Sequence, residues 1–275
     1  MIIGEKNRLT TMRFTPPGAY LEDEEGNDVL LPTKYIPENL KVDDPIDVFI
    51  YRDSEDRIIA TTLKPHLYVN EFAFLKVKDV TRFGAFLDWG IEKDLLVPFR
   101  EQIGEMQLGN SYLVYLYLDA KTERLAATQK VQSYFEKEDI SLEEGEEVDL
   151  LIAEETDLGI NVVVNNKYRG LIYANEIFTD ILTGDRMKGY VKNIRPDNKI
   201  DISLRKIGME NLEAGAEKIL SILSDSEGFL PLTDKSSPDE IQFHFQMSKK
   251  NFKRSLGILY KKKLVNLTKE GIRKL

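Results

Sequence analysis

The sequence predicts a mainly β, multidomain protein in which three small five-stranded antiparallel barrels precede a smaller α+β domain. Two observations predict this class. A pattern of strands and turns, about 60 residues long, occurs three times, and after residue 207 it gives way to helical periodicity. Short strands separated by turn signals are typical of small barrels, and apolar residues at helical spacing indicate helices packed on a core.

The three repeats align over a segment of fifteen residues. The three segments begin at Gly18, Gly84 and Gly159, and they read GAYLEDEEGNDVLLP, GAFLDWGIEKDLLVP and GINVVVNNKYRGLIY. From the third residue of each segment, a basic residue before the last strand lies 37, 38 and 38 positions away. This agreement predicts three barrels with the same strand order. We expect them at residues 1–64, 68–131 and 145–207.

The C-terminal segment carries helix signals in place of turn signals. In SPDEIQFHF, Ser237 is a predicted N-cap, Pro238 takes the first helical position and Glu240 completes a capping box. Ser248 is the predicted cap of the next helix, KKNFKRSLGILYKKK, which has an apolar stripe. The elements of this segment are predicted in the order helix, strand, helix, helix and hairpin, which is the order in a winged helix. We therefore expect a winged-helix domain at residues 208–275.

Charge is divided unevenly along the chain. The net charge is −9, but residues 1–207 hold 26 basic and 38 acidic residues, whereas residues 208–275 carry +3. The last 29 residues contain ten Lys or Arg and a single acid. This asymmetry indicates an anionic partner for the C-terminal domain. The acidic stretch at residues 135–149 is expected to be a solvated link between the second and third barrels.

The composition disfavours several classes of function. The chain has no cysteine and only two histidines, and it contains no glycine-rich phosphate-binding motif. Its apolar runs, such as YLVYLYL, are too short to span a bilayer, and its start lacks the long apolar segment of a signal peptide. We therefore expect a cytoplasmic protein that is not an enzyme, needs no cofactor or metal, and has no membrane partner.

The motifs resemble a known family. RFGAFLDWG and LLVPFRE stand where the S1-type RNA-binding domain, a variant of the OB-fold, has FGAFV and GLVHISE. Three such barrels followed by a winged helix resemble the conserved virulence factor B family of bacterial RNA-binding regulators. The resemblance implies that the barrels hold single-stranded RNA and that the protein regulates gene expression post-transcriptionally, in a virulence-related role.

The resemblance also implies RNA-binding residues. S1-type domains present two aromatic residues, a histidine, an aspartate and a basic residue on one face. Matched position by position, the predicted contacts are Phe83, Phe86, Asp119 and Arg124 in the second repeat, Tyr20, Asp53 and Arg57 in the first, and Tyr173 and Lys199 in the third, with Arg169 as an additional candidate. The repeats depart from the pattern at Pro17, Pro32, Pro98, Leu158 and Asn161.

The stretch TRFGAFLDWG leaves two interpretations open. Phe83 and Phe86 would point to opposite faces of a plain strand, but a bulge at Gly84 would let both rings share one face and stack on bases. Otherwise the rings fill the core. Trp89 has no role in the family pattern and is expected to pack in the core or in the turn.

The helix after Ser248 is the predicted recognition helix of the winged helix, and the turn TKEG its wing. The predicted nucleic-acid contacts are Lys249, Lys250, Asn251, Lys253, Arg254, Lys261, Lys262, Lys263 and Lys269. Lysines reach phosphates without reading bases, so we expect sequence-independent contact with RNA, or with DNA through this domain. The alternative is a protein-interaction scaffold, with degenerate barrels and a winged helix that docks on the ribosome or RNA polymerase.

Overall fold

The computed structural model has the predicted architecture of three five-stranded barrels and a C-terminal winged helix. The structure describes residues 1–177, 180–204, 209–233, 235–268 and 270–275, with side chains in the first long helix from residue 215 onward. These residues form two compact units. One unit contains residues 1–141, 148–188 and 195–200, and the other contains residues 142–147, 189–194 and 201–275.

The first barrel is closed. Its strands are β1 (Lys6–Thr15), β2 (Gly18–Glu22), β3 (Asp28–Pro32), β4 (Pro45–Arg52) and β5 (Ile58–Thr61). They follow the order β1-β2-β3-β5-β4, and β4 pairs back onto β1. All pairs are antiparallel except β3 with β5, which meet in parallel at Leu30 and Ile59. The interior is filled by inward-facing aliphatic side chains such as Leu21, Leu31 and Ile50.

The second and third barrels repeat this order. The second contains β6 (Phe72–Thr81), β7 (Gly84–Asp88), β8 (Leu95–Pro98), β9 (Ser111–Leu118) and β10 (Leu125–Thr128), hydrogen-bonded as β10-β9-β6-β7-β8. The third contains β11 (Glu147–Thr156), β12 (Gly159–Val164), β13 (Tyr168–Tyr173), β14 (Arg186–Ile194) and β15 (Ile200–Ser203), and it is closed. Equal spacing in the sequence therefore corresponds to equal strand order, although the second sheet is not closed by a ladder between β8 and β10 as the other two are closed.

The bulge expected at Gly84 lies elsewhere. It falls on the partner strand β6, where Lys78 is the extra residue between Val77 and Asp79, and β7 itself runs without interruption. The first and third barrels have the same bulge, at Met12 of β1 and Ala153 of β11. The prediction was wrong about position because an extra residue on β6 leaves no mark in the sequence of β7.

Gly84 has a different structural role. Its φ of +144° is strained for other residues, and a Cβ there would collide with the carbonyl oxygen of Val97 on β8. Gly18 and Gly159 have the same conformation and the same close approach, to the carbonyl oxygens of Leu31 and Ile172. The glycine that opens each repeated segment therefore lets the second and third strands of its barrel come together.

The first two barrels pack on each other through aromatic side chains. Trp89 is 2% exposed, and its ring meets that of Phe49 on β4 edge-on, with centroids 5.6 Å apart. Its indole N–H donates to the carbonyl oxygen of Lys93. Of the two expected places for Trp89, core or turn, the structure shows the core, and the core that it joins contains residues of both barrels.

A second aromatic contact joins the second and third barrels. Phe135 is 8% exposed and stacks on Phe72 of β6, with centroids 4.7 Å apart and an interplanar angle of 9°. Leu151 and Val163 of the third barrel belong to the same apolar cluster. Phe135 at the start of the acidic stretch is therefore anchored, whereas most of the acidic side chains that follow it, such as Glu138, Glu143 and Glu144, are exposed as expected.

The C-terminal domain contains α1 (Met209–Asp225), β16 (Phe229–Leu230), α2 (Pro238–Phe245), α3 (Lys249–Lys261), β17 (Val265–Leu267) and β18 (Ile272–Lys274). Its sheet has the order β16-β18-β17. The predicted capping box is present, since Ser237 Oγ accepts from the Glu240 amide and the Glu240 carboxylate accepts from the Ser237 amide. None of the helices in the described ranges is long and apolar enough to cross a membrane.

Candidate nucleic-acid interface

The second barrel presents two phenylalanine rings outside its core. Ala85 and Leu87 of β7 are fully buried, so the alternation of the strand turns Phe86 outward, where it is half-buried. Phe83 lies in the turn before β7 and is 59% exposed. The guanidinium carbon of Arg82 lies 4.8 Å from the centroid of the Phe83 ring. An accessible aromatic surface with a cation beside it suits a flat, anionic partner.

A third ring that sequence reasoning missed lies beside these two. Phe99 follows Pro98, opens a short 3₁₀ turn and is 52% exposed. Pro98 pairs with Gly84, so Phe83 and Phe99 flank this pair at the end of the β7–β8 ladder. The signal was present in LLVPFRE, where an aromatic residue immediately follows the position that lacks the family's histidine.

Asp119 is held in place by its own turn. Its carboxylate accepts from the backbone amides of Thr122 and Lys121, at 3.0 and 2.9 Å, and these bonds lower the pKa of Asp119. The guanidinium of Arg100 lies 3.5 Å away. The residue is therefore an ionised acceptor at neutral pH, at the end of β9.

Arg124 is engaged with the first barrel. Its guanidinium donates to both carboxylate oxygens of Asp56, at 2.8 and 2.7 Å. This charge-assisted hydrogen bonding lowers the pKa of Asp56 and raises that of Arg124. Arg52 and Glu123 form a second bridge between the same two barrels, at 2.6 Å. Arg124 therefore links two barrels, in a way that its position in the repeat did not reveal.

The first barrel keeps its predicted residues but pairs them internally. Arg57 donates twice to Asp53, at 2.9 and 2.7 Å, and also contacts Glu55 at 3.0 Å. Burial acts to raise the pKa of Asp53, but the hydrogen bonds from Arg57 outweigh it and the pKa is lowered. One face of Tyr20 is covered by Arg13, whose guanidinium carbon lies 4.1 Å from the ring centroid. The Tyr20 ring is therefore covered on that side, and Arg57 and Asp53 are engaged with each other.

The predicted residues of the third barrel line a cavity of about 720 Å³. Tyr173 pairs with Gly159 at the end of β13, and its side chain is half-buried. Lys199 lies in the turn before β15 and forms an ion pair with Asp197 at 2.7 Å, which lowers the pKa of Asp197. Arg169 lines the same cavity. The structure therefore brings together all three side chains assigned to this barrel.

The winged helix differs from the barrels because most of its predicted cations have no acidic partner. In the described part of the chain, no carboxylate pairs with Lys250, Arg254, Lys261, Lys262 or Lys263. Lys249 donates to a backbone carbonyl at 3.4 Å. The backbone amide of Asn251 donates to the side-chain oxygen of Ser248, the N-cap of α3. Lys269 lies outside the described residues. Lys253 takes part in other interactions.

In the described ranges, no group of three or more histidine, aspartate and glutamate side chains is arranged to hold a metal ion. The site candidates are thus exposed rings on the second barrel, a lined cavity at the third, and those cations of the winged helix for which the described residues offer no acidic partner.

Three OB-type barrels followed by a winged helix define a multidomain protein of nucleic-acid-binding type. Residues 3–63 and 71–130 match the S1 domain family, and residues 217–273 match the CvfB-like winged helix domain. The chain belongs to the conserved virulence factor B family, as the resemblance of its motifs predicted.

Curated relatives extend over most of this chain. It is 30% identical to the uncharacterized protein YitL of Bacillus subtilis over 270 residues, which cover 94% of this chain and 89% of YitL. It is 27% identical to conserved virulence factor B of Staphylococcus epidermidis over 286 residues, covering 98% and 96% of the two chains. The Staphylococcus aureus protein of that name is 27% identical over 248 residues, with 85% and 83% covered.

A solved structure from Streptococcus pneumoniae is described as a multidomain protein with nucleic acid binding domains. It aligns with 99% of this chain and 98% of its own length, at 22% sequence identity and a TM-score of 0.42.

Proposed function

We propose that the protein binds single-stranded RNA on its barrels and acts post-transcriptionally on gene expression. The observation that carries this proposal is the exposure of the Phe83 ring, with a cation over its face and Phe86 turned outward from the same barrel. Each ring that stacks on a base contributes roughly 1–3 kcal/mol without reading sequence. Single strands are favoured over duplexes because only an unpaired base leaves its face free.

The winged helix would add electrostatic affinity. Five of its cations, Lys250 and Arg254 on α3 and residues 261–263 at its end, have no acidic partner in the described part of the chain, so they can exchange water for phosphate at little cost. Such contacts position a strand and do not select its sequence. We expect this domain to strengthen binding of RNA, and of DNA, more at low than at high salt.

The double variant Phe83→Ala with Phe86→Ala tests the proposal. Loss of both rings is expected to weaken binding of a labelled single-stranded RNA by about tenfold or more, because each stacked base contributes roughly 1–3 kcal/mol. Fluorescence anisotropy with the full chain measures the change. Leu108→Ala is the matched control: this side chain is 68% exposed and apolar but lies in the loop before β9 and not on the strand or turn that carries the rings, so its removal should leave binding unchanged.

Equal binding by the double variant and the wild type, with both folded by circular dichroism, would reject the ring assignment. If neither form binds RNA, the alternative is a protein-interaction scaffold that docks on the ribosome or RNA polymerase. One observation favours it: Arg57 and Arg124, which the family pattern assigns to RNA, are both held by carboxylates. A scaffold is expected to bind no RNA by anisotropy in either form.

A further inference from the structure

The C-terminal end of α3 carries an exposed patch in which apolar side chains flank a run of lysines. Tyr260 is 56% exposed and Leu264 is 40% exposed, and the three residues between them are lysines with exposed side chains. Leu275, which is 73% exposed, lies beside Leu264, because its backbone amide donates to the Leu264 carbonyl oxygen at 3.1 Å. We call Tyr260, residues 261–263, Leu264 and Leu275 the basic-apolar patch.

The turn that ends α3 brings these side chains together. The Lys263 amide donates to the carbonyl oxygen of Tyr260 and the Leu264 amide to that of Leu259, both at 3.0 Å, and Lys263 has a φ of +54°. This pair of bonds is the Schellman motif, which ends a helix and folds the next residue back along it. Glycine is the usual residue at the left-handed position, because a side chain is strained there. A lysine at this position keeps a third positive charge in the run at a conformational cost.

The described part of the chain does not neutralise this run. None of the lysines 261–263 forms an ion pair with a described carboxylate. The last 29 residues hold ten Lys or Arg and one acid, Glu270. The helix dipole favours cations in the last turn of a helix, but it does not account for exposed apolar side chains on both sides of them. The patch therefore fits a partner that is both anionic and able to accept apolar groups.

The apolar members of the patch discriminate between anionic partners. A phosphate gains nothing from Leu264 or Leu275, and neither side chain has a flat face on which a base can stack. Protein–protein interfaces are depleted in lysine, so three consecutive lysines are atypical of them. The boundary of a lipid bilayer accepts both kinds of side chain, because tyrosine and leucine enter the headgroup region while lysine stems lie along it with their ammonium groups at lipid phosphates.

We propose that the basic-apolar patch docks on an anionic lipid surface, with Tyr260 and Leu264 in the headgroup layer and the lysines on lipid phosphates. The sequence argument against a membrane partner concerned spanning segments, and a surface contact needs none. The contact is reversible, since each lysine near such a surface contributes about fivefold in affinity. The proposal goes beyond the proposed function and does not depend on RNA binding.

Co-sedimentation of the full chain with vesicles tests the proposal. Vesicles of equal parts phosphatidylcholine and phosphatidylglycerol are expected to bind the protein, and vesicles of phosphatidylcholine alone are not, because only the first carry a negative surface. Raising the salt concentration should weaken binding, since exposed charges are screened. Inorganic phosphate at the concentration of the lipid should not displace the protein, because it offers no apolar layer to Tyr260 and Leu264.

Two variants separate the charge of the patch from its apolar surface. The triple variant Lys261→Gln, Lys262→Gln and Lys263→Gln removes the charge and is expected to weaken vesicle binding by about tenfold or more. Tyr260→Ser with Leu264→Ser removes the apolar surface and should also weaken binding measurably, because both side chains leave the headgroup layer.

Matched controls place the same changes on the barrels. A triple variant at exposed lysines removes an equal charge, and Leu108→Ser removes an exposed apolar side chain; both should bind vesicles as the wild type does. The triple control is Lys41→Gln, Lys64→Gln and Lys121→Gln. Circular dichroism must show that each variant is folded, and Tyr260→Ser alone replaces the double variant if that variant is not.

Several results would overturn the proposal. These are a wild type that does not sediment with anionic vesicles, an equal loss in the triple control, and unchanged binding of either patch variant. A lysine variant that loses RNA binding by anisotropy but keeps vesicle binding assigns the lysines to RNA and also contradicts it. Absence of RNA binding by the wild type would count against the proposed function and not against this contact, because vesicle binding is measured without RNA.

Discussion

At the scale of single residues, the three aromatic side chains of TRFGAFLDWG lie in two different environments, one in the core and two outside it. Trp89 is buried against Phe49 of the neighbouring barrel, whereas Phe83 and Phe86 lie outside the core. Composition cannot make this division, because all three are large apolar residues. It follows from the turn before β7, from the alternation along that strand and from the packing of the first barrel on the second.

Replacing Trp89 by phenylalanine is expected to destabilise the first two barrels by about 1–3 kcal/mol. The change removes the hydrogen bond to Lys93 and leaves a gap beside Phe49. Urea unfolding followed by far-ultraviolet circular dichroism measures it, since the variant has no tryptophan fluorescence. Phe99→Leu alters an exposed ring and should change stability by less than about 0.5 kcal/mol. Equal stability of Trp89→Phe and wild type would show that the indole does not join the barrels.

At the scale of elements, the sequence predicts strands, caps and topology well because these depend on local and repeated signals. The spacing of the repeats predicts three barrels of one topology, and Ser237 with Glu240 predicts the start of α2. The bulge at Lys78, the stacking of Phe135 on Phe72 and the pairing of Arg124 with Asp56 were not predicted. Each depends on a partner far away in sequence, so only the folded chain reveals it.

The repeated glycine allows a test at this scale. Gly84→Ala is expected to lower stability by about 2 kcal/mol or more, because its Cβ would meet the carbonyl oxygen of Val97. Gly104→Ala is the control: its φ is also positive, +89°, but a Cβ there meets no atom within 4 Å. That variant should cost only about 1 kcal/mol. Thermal unfolding compares the two, and equal losses would mean that the close approach of β7 and β8 contributes nothing.

At the scale of the whole molecule, the chain carries opposite charge at its two ends. Residues 1–207 have a net charge of −12 and residues 208–275 of +3. On the barrels, Arg57, Arg124 and Lys199 are used in ion pairs. Among the described residues of the winged helix, five cations have no acidic partner: Lys250, Arg254, Lys261, Lys262 and Lys263. This division suggests that aromatic stacking, and not net charge, would hold a strand on the barrels, with the winged helix supplying the salt-dependent part of the affinity.

The most direct test of the central claim is fluorescence anisotropy of wild-type full chain with a labelled single-stranded RNA and with duplex DNA of matching sequence, from low to physiological salt. We predict that single-stranded RNA binds at least about tenfold more tightly at physiological salt, since only unpaired bases can stack on the rings. Equal or tighter binding of duplex DNA, or no binding of RNA, would contradict the account.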